Sequence, residues 1–123
     1  MAHSIEHYLR MMPKATGVRC TKHFWRPAAD VYKTRDGWMV KIELAGVSPD
    51  ELEVRIEGDT LRVAGSRRDE SCSESISYHQ LEITYSSFER TIRFPCPIGG
   101  ASLQTRYKDG LLILHLLSPE ECD

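Results

Sequence analysis

The most confining stretch of this chain is Tyr107-Lys108-Asp109-Gly110-Leu111-Leu112-Ile113-Leu114-His115-Leu116-Leu117, a polar turn followed by seven residues of which six are aliphatic. A helix that crosses a bilayer needs roughly 20 apolar residues, so the run is too short for stable membrane insertion. It reads as a β-strand covered on both faces, because a half-exposed strand alternates apolar with polar residues. The segment before it does alternate, with Leu103, Thr105 and Tyr107 on one face and Gln104, Arg106 and Lys108 on the other. The two join in a hairpin through Lys108-Asp109-Gly110, where Gly110 can take the positive φ that a tight turn needs. A strand apolar on both faces also needs cover from something beyond its own sandwich partner.

Upstream, a period of two sets in at Asp30. Val31-Tyr32-Lys33-Thr34 is a short strand, and Arg35-Asp36-Gly37 is a hairpin turn. Trp38, Val40, Ile42 and Leu44 then alternate with Met39, Lys41 and Glu43. After the break at Ala45-Gly46-Val47-Ser48-Pro49-Asp50, Leu52, Val54 and Ile56 point inward between charged neighbours. Glu57-Gly58-Asp59 turns the chain into another short strand carrying Leu61 and Val63. Residues 66–77 are polar almost throughout and read as a solvated excursion, with Ile76 and Tyr78 able to form a short strand at its far end. Leu81, Ile83 and Tyr85 alternate, and Phe88, Ile92 and Phe94 resume the pattern with Arg90 on their side. Short strands separated by glycine-bearing turns predict an all-β, two-sheet sandwich.

Before Trp25 the pattern is different. Ser4 can cap a short helix over 4–12 on which Ile5, Tyr8, Leu9 and Met12 share one face and which Pro13 ends. Isolated helices below ~12–15 residues barely form in water, so this one frays, docks on the domain, or lends its apolar face to a partner or client. Residues 13–29 lack periodicity and form a linker, with Phe24 and Trp25 packing its end back onto the domain.

With 123 residues and 41% apolar content, one small domain is feasible and two are not. The net charge of −2 and the interspersed signs offer no basic stripe, which argues against a nucleic-acid partner. The first residues lack the apolar core of a signal peptide, which points to the cytoplasm and to free thiols at Cys20, Cys72, Cys96 and Cys122. No metal or cofactor is expected: His3 and His7 have no third ligand nearby in sequence, and His23, His79 and His115 are isolated. Cys96 lies between two prolines, Ser86-Ser87 lacks a strand–turn–helix context, and no glycine-rich loop precedes a helix, so no enzyme is expected.

From Trp25 to Leu117 the chain resembles the small heat-shock proteins with their α-crystallin domain, Hsp20-like and of the prokaryotic and plant type. Trp25-Arg26-Pro27 before Asp30-Val31 resembles the family's W-x-P-x-x-D-[IV], and Leu44-Ala45-Gly46-Val47 resembles L-P-G-V with alanine for proline. Leu61-Arg62-Val63-Ala64-Gly65 with Arg67 is similar to L-x-I-x-G-x-R. Glu82 with Phe88-Glu89-Arg90 is similar to E-x-x-x-G-x-F-x-R, with Ser86 where glycine is usual, and Phe94-Pro95 resembles L-P. Tyr107-Lys108-Asp109-Gly110-Leu111-Leu112 resembles A-x-x-x-[DN]-G-V-L, with Thr105 for the alanine.

The resemblance implies an immunoglobulin-like sandwich that holds partly unfolded client proteins soluble without ATP. It divides the chain into an arm and linker (1–24), the α-crystallin domain (25–117) and a short tail (118–123). Ile5, Tyr8, Leu9 and Met12 would form a client-binding arm. Ile76, Ser77, Tyr78 and His79 would be a strand exchanged between two copies in a homodimer. A groove beside the last strand would run along Leu112 and Leu114, and Gly46, Arg90, Gly110 and Leu111 form the structural signature. The tail Ser118-Pro119-Glu120-Glu121-Cys122-Asp123 lacks the family's I-x-I/V docking motif, so dimers or small oligomers are expected. The alternative is a sandwich of the co-chaperone adaptor type that binds a folded partner chaperone; the long excursion argues against it.

Overall fold

The computed structural model describes residues 25–71 and 75–118. The described strands are β1 (Ala29–Lys33), β2 (Gly37–Glu43), β3 (Glu53–Glu57), β4 (Thr60–Ser66), β5 (Ser87–Arg93), β6 (Ser102–Lys108) and β7 (Leu111–Leu117). They form two antiparallel sheets, one ordered β1-β2-β7-β6 and the other β3-β4-β5. A 3-10 turn, Pro49–Glu51, with proline at its start, lies on the crossing between them.

The last strand takes its place from its inward row. Leu112, Leu114 and Leu116 stand opposite Ile42, Val40 and Trp38 of β2, so the apolar rows of neighbouring strands line up on one face. Leu61 and Val63 of β4 and Phe88 and Ile92 of β5 close the core from the other sheet, with Leu44, Val47, Phe94 and Ile98 sealing it from the loops. The outward row, Leu111, Ile113, His115 and Leu117, is only half-buried. Its cross-strand neighbours are Glu43, Lys41 and Met39 on one side and Lys108, Arg106 and Gln104 on the other, whose long stems suit an apolar strip. The double apolar character of β7 thus reflects a central strand with one buried face and one partly shielded face.

Two turns carry the connections at this end. The β6–β7 hairpin uses Asp109 and Gly110, both with positive φ (53° and 80°), the pair of left-handed residues that matches the twist of antiparallel strands. Gly110 donates no side chain but its carbonyl accepts from the Leu44 N–H at 2.8 Å, and the Tyr107 hydroxyl donates to the Leu44 carbonyl at 2.7 Å. The end of β2 is therefore tied to the last hairpin from both sides.

The structure departs from the sequence expectations in two places. Leu112 and Leu114 do not line an open groove: they are 1% and 0% exposed, because the central strand turns these alternate residues into the core. The alternation over Leu81, Ile83 and Tyr85 does not make a strand either. Among the described residues no strand falls between Ser66 and Ser87, and Ile83 is 63% exposed. Alternation supplies a face only when a neighbouring strand supplies a ladder, and among the described residues none runs beside 75–86.

The outer face of the three-stranded sheet carries exposed ion pairs, among them Arg62–Glu89 at 2.6 Å and Arg93–Asp59 at 3.1 Å. The hydrogen bond from Arg93, then that from Thr60, holds the Asp59 carboxyl below its ordinary range; the Arg62 hydrogen bond does the same to Glu89. A carboxyl lowered in the folded state stabilises above its unfolded pKa and loses that contribution as pH falls through the folded value. Unfolding midpoints should therefore drop as pH falls below about 4, and the Asp59→Asn, Glu89→Gln double variant should flatten that drop in a pH series of thermal melts. In urea unfolding, Leu114→Ala should cost about 2–5 kcal/mol through cavity formation. Ile113→Ala, one residue away on the half-buried face, should cost only about 1 kcal/mol.

Candidate functional site

Trp25 and the two ends of the connection between β4 and β5 meet at one point. Trp25 forms an isolated parallel bridge with Phe88 of β5, its N–H donating to the Ser87 carbonyl at 3.0 Å. Its ring meets Phe88 edge-on, with centroids 5.5 Å apart, and the side chain is nearly buried. Arg67, directly after β4, lays its guanidinium over the other aromatic surface, 3.8 Å from the ring centroid. The Arg67 N–H donates to Ser86 O, Nε and Nη2 both donate to Thr84 O at 2.9 and 2.7 Å, and Nη1 donates to Ala45 O at 3.2 Å. Burial lowers the pKa of this guanidinium. Gly46, with φ 80°, lies against it: a Cβ there would come within 3.2 Å of Arg67 Cδ. Ser86, in the place of the usual glycine, is fully buried with its hydroxyl donating to the Ser87 carbonyl.

Beyond that root, Ile76, Ser77 and His79 are exposed and Tyr78 is half-buried. Burial is the first cause raising the Tyr78 pKa, followed by the charges of Asp69 and Tyr85. None of residues 76–79 belongs to a strand in the single chain. Among the described residues the four-stranded sheet ends at β1, whose ladder partner is β2 and whose Val31 and Tyr32 are 40% and 42% exposed. Lys41 lies 5.5 Å from the centre of the Tyr32 ring.

The apolar residues that border the core and still reach the surface are on other strands than expected. Leu52, Val54 and Ile56 on and before β3, and Leu103 and Tyr107 on β6, are half-buried against the core. Both β3 and β6 are edge strands. Of the signature residues, Gly110 and Leu111 sit in and after the last hairpin, far in sequence from the loop root. Arg90 points from β5 toward the inner side, opposite Val63, half-buried with its Nε lacking a hydrogen-bond partner. Burial, then the nearby positive Arg26, lowers its pKa. The arm residues Ile5, Tyr8, Leu9 and Met12 lie outside the described residues.

Cys96 corrects the expectation of free thiols: it is disulfide-bonded. It is the one cysteine within the described residues, and it stands between Pro95 and Pro97, with Phe94 and Ile98 anchored in the core on either side (3% and 1% exposed). Such anchoring holds its Cα in one place, a condition disulfide geometry requires.

Two antiparallel sheets of four and three strands, with an excursion between β4 and β5, define an α-crystallin-type β-sandwich. Residues 30–122 match the model of the Hsp20/alpha crystallin family, and the chain belongs to that family. It is 28% identical over 95 residues to small heat shock protein C2 of Rickettsia felis, covering 77% of this chain and 60% of that protein. It is 32% identical over 90 residues to spore protein SP21 of Stigmatella aurantiaca, covering 73% and 53%. The chain thus spans little more than half the length of these curated relatives. Heat shock protein 16.0 from Schizosaccharomyces pombe superposes with a TM-score of 0.67 at 26% identity, over 78% of this chain and 89% of that one.

A disulfide at Cys96 occupies two of the four cysteines. Thiol titration of denatured, non-reduced protein should therefore find no more than two reactive thiols, and the same titration after reduction should find all four.

Proposed function

We propose that this chain is a non-catalytic, ATP-independent holdase of the cytoplasm that binds partly unfolded proteins and keeps them from aggregating. The observation that carries the reading is apolar surface left outside a completed core: Val31, Tyr32, Ile76 and Ile83 are 36–63% exposed on an otherwise charged sandwich. Exposed apolar groups of this kind suit segments that clients expose on unfolding. Family membership supports the same reading. The arm, through Ile5, Tyr8, Leu9 and Met12, is the first candidate for client contact. The flank formed by Leu52, Val54, Ile56, Leu103 and Tyr107 takes the place of the groove first assigned to Leu112 and Leu114. Contacts with partly unfolded clients are weak per site, so near-stoichiometric chaperone is needed.

The working unit in this proposal is a homodimer in which Ile76, Ser77, Tyr78 and His79 of each copy add to the β1 edge of the other. Among the described residues the outer edge of β1 faces no further strand and residues 76–79 join no ladder, and reciprocal exchange would give each a place in a sheet.

The test is light-scattering of two unrelated clients, one heated and one reduced, with the intact chain, the chain lacking residues 1–20, and Leu9→Asp. The intact chain should suppress aggregation of both clients without nucleotide, and the two arm variants should protect less. Protection of neither client, together with stoichiometric binding to one folded chaperone, would favour the adaptor reading instead. For the dimer, sedimentation of a variant lacking residues 70–79 should show a folded monomer; a persistent dimer would reject the exchange.

A further inference from the structure

Among the described residues the Arg67 guanidinium meets no carboxylate within ion-pair distance. Among the described residues its partners are three backbone contacts and a ring: Thr84 O twice, Ala45 O once, and the face of Trp25. These partners belong to three different parts of the chain. Thr84 is at the returning end of the excursion, Ala45 is in the turn after β2, and Trp25 is the first described residue after the N-terminal segment. The Arg67 N–H closes the excursion a second time, on Ser86 O at 2.9 Å, and the Trp25 N–H uses the next carbonyl, Ser87 O, at 3.0 Å. The mouth of the loop and the end of the arm are thus stitched to consecutive carbonyls and spanned by one planar side chain.

We propose that Arg67 is a positioning residue that couples the N-terminal segment to the exchange loop, so that anchoring of Trp25 and closure of the loop root are gained and lost together. A planar fork can direct Nε and Nη2 at one carbonyl while stacking on an indole, and an ammonium cannot do both. When Trp25 leaves, the guanidinium loses the surface that orients its fork. When the fork is lost, Thr84 O loses two donors and the indole loses its cation. Coupling of this kind is reciprocal. Pulling on the arm by a bound client therefore loosens the take-off of residues 67–86, and docking of the loop on a second copy tightens the arm root. This last consequence rests on the exchange proposed above; the coupling itself does not.

The experiment is amide hydrogen exchange on the full chain, comparing Arg67→Lys, Trp25→Leu, their double variant and Trp25→Phe. The reporters are the Trp25 amide and the amide of position 67, and the control is the Phe94 amide, which bonds to Asp59 O away from this junction. Arg67→Lys should speed exchange of both reporters by about tenfold or more and leave the control unchanged. Trp25→Leu should speed the amide of position 67 similarly, Trp25→Phe should restore most of its protection, and the double variant should exchange no faster than either single one. Loosening of only one reporter, additive effects in the double variant, or equal loosening of the control would overturn the coupling. Should position 67 variants not fold, the contrast between Trp25→Leu and Trp25→Phe at the amide of position 67 decides it alone. Sedimentation in parallel should show a weaker dimer for Arg67→Lys. A wild-type chain that is monomeric at all concentrations would remove the exchange reading while the amide results still judge the coupling.

Discussion

The structure depends on one alignment, the match between the inward row of β7 and the inward row of β2. Leu112 opposite Ile42 and Leu114 opposite Val40 set the register of the four-stranded sheet, and all four side chains are within 1% of full burial. A slip of one residue would turn Leu111, Ile113 and His115 into the core and put a histidine where Leu114 or Leu116 now packs. The hairpin guards against that slip, because Asp109 and Gly110 form a two-residue turn that allows only the Lys108–Leu111 pairing. From this sheet the rest follows: the end of β2 is pinned by Gly110 and Tyr107, and the turn after it offers Ala45 O to Arg67. The core strand and the loop root are therefore two ends of one chain of contacts.

Charge is used differently in the two halves of the molecule. On the outer face of the three-stranded sheet, arginines pair with carboxylates in full contact with water, where such pairs contribute little. At the loop root the arginine is partly buried and meets carbonyls and an indole instead. Carbonyls are fixed by the backbone, so this arrangement demands that three segments be placed correctly before the side chain is satisfied. An ion pair with a mobile glutamate would make no such demand. The choice of partners makes Arg67 a sensor of geometry more than a source of stability.

Much of the fold was legible because β-structure leaves a period of two. The strand pairs around Val40 and Ile42, around Val54 and Ile56, and around Leu61 and Val63 could all be read from alternation. The turn at Gly110 was legible because few residues tolerate its φ. The outward row of β7 looked like a demand for a separate cover, since sequence does not show that its neighbours are long-stemmed lysine, arginine and methionine. Assigning Leu112 and Leu114 to a groove failed for a related reason: a doubly apolar strand gives no clue to which alternate row faces in. Residues 81–85 alternate without a partner, and nothing local distinguishes an unpaired alternation from a paired one. The Arg67 junction was visible only as the last letter of a motif. Its three partners are 17, 22 and 42 positions away in sequence, a distance over which composition and period carry no information. The disulfide at Cys96 is not legible in the sequence, since four widely spaced cysteines do not say which of them come together and the core anchoring of Phe94 and Ile98 beside it is seen only in the fold.

An incomplete sandwich must still avoid indiscriminate pairing with other chains, and the four-stranded sheet handles its two edges unequally. The β6 edge carries Gln104, Arg106 and Lys108 along its outward row, all exposed, which opposes a flat apolar strand laid beside it. The β1 edge is shorter and mixes Asp30 and Lys33 with the exposed Val31 and Tyr32. Long uniformly apolar strands are disfavoured at both edges, since each would place aliphatic side chains against a charge. The charges along both edges therefore narrow what can lie beside the sheet.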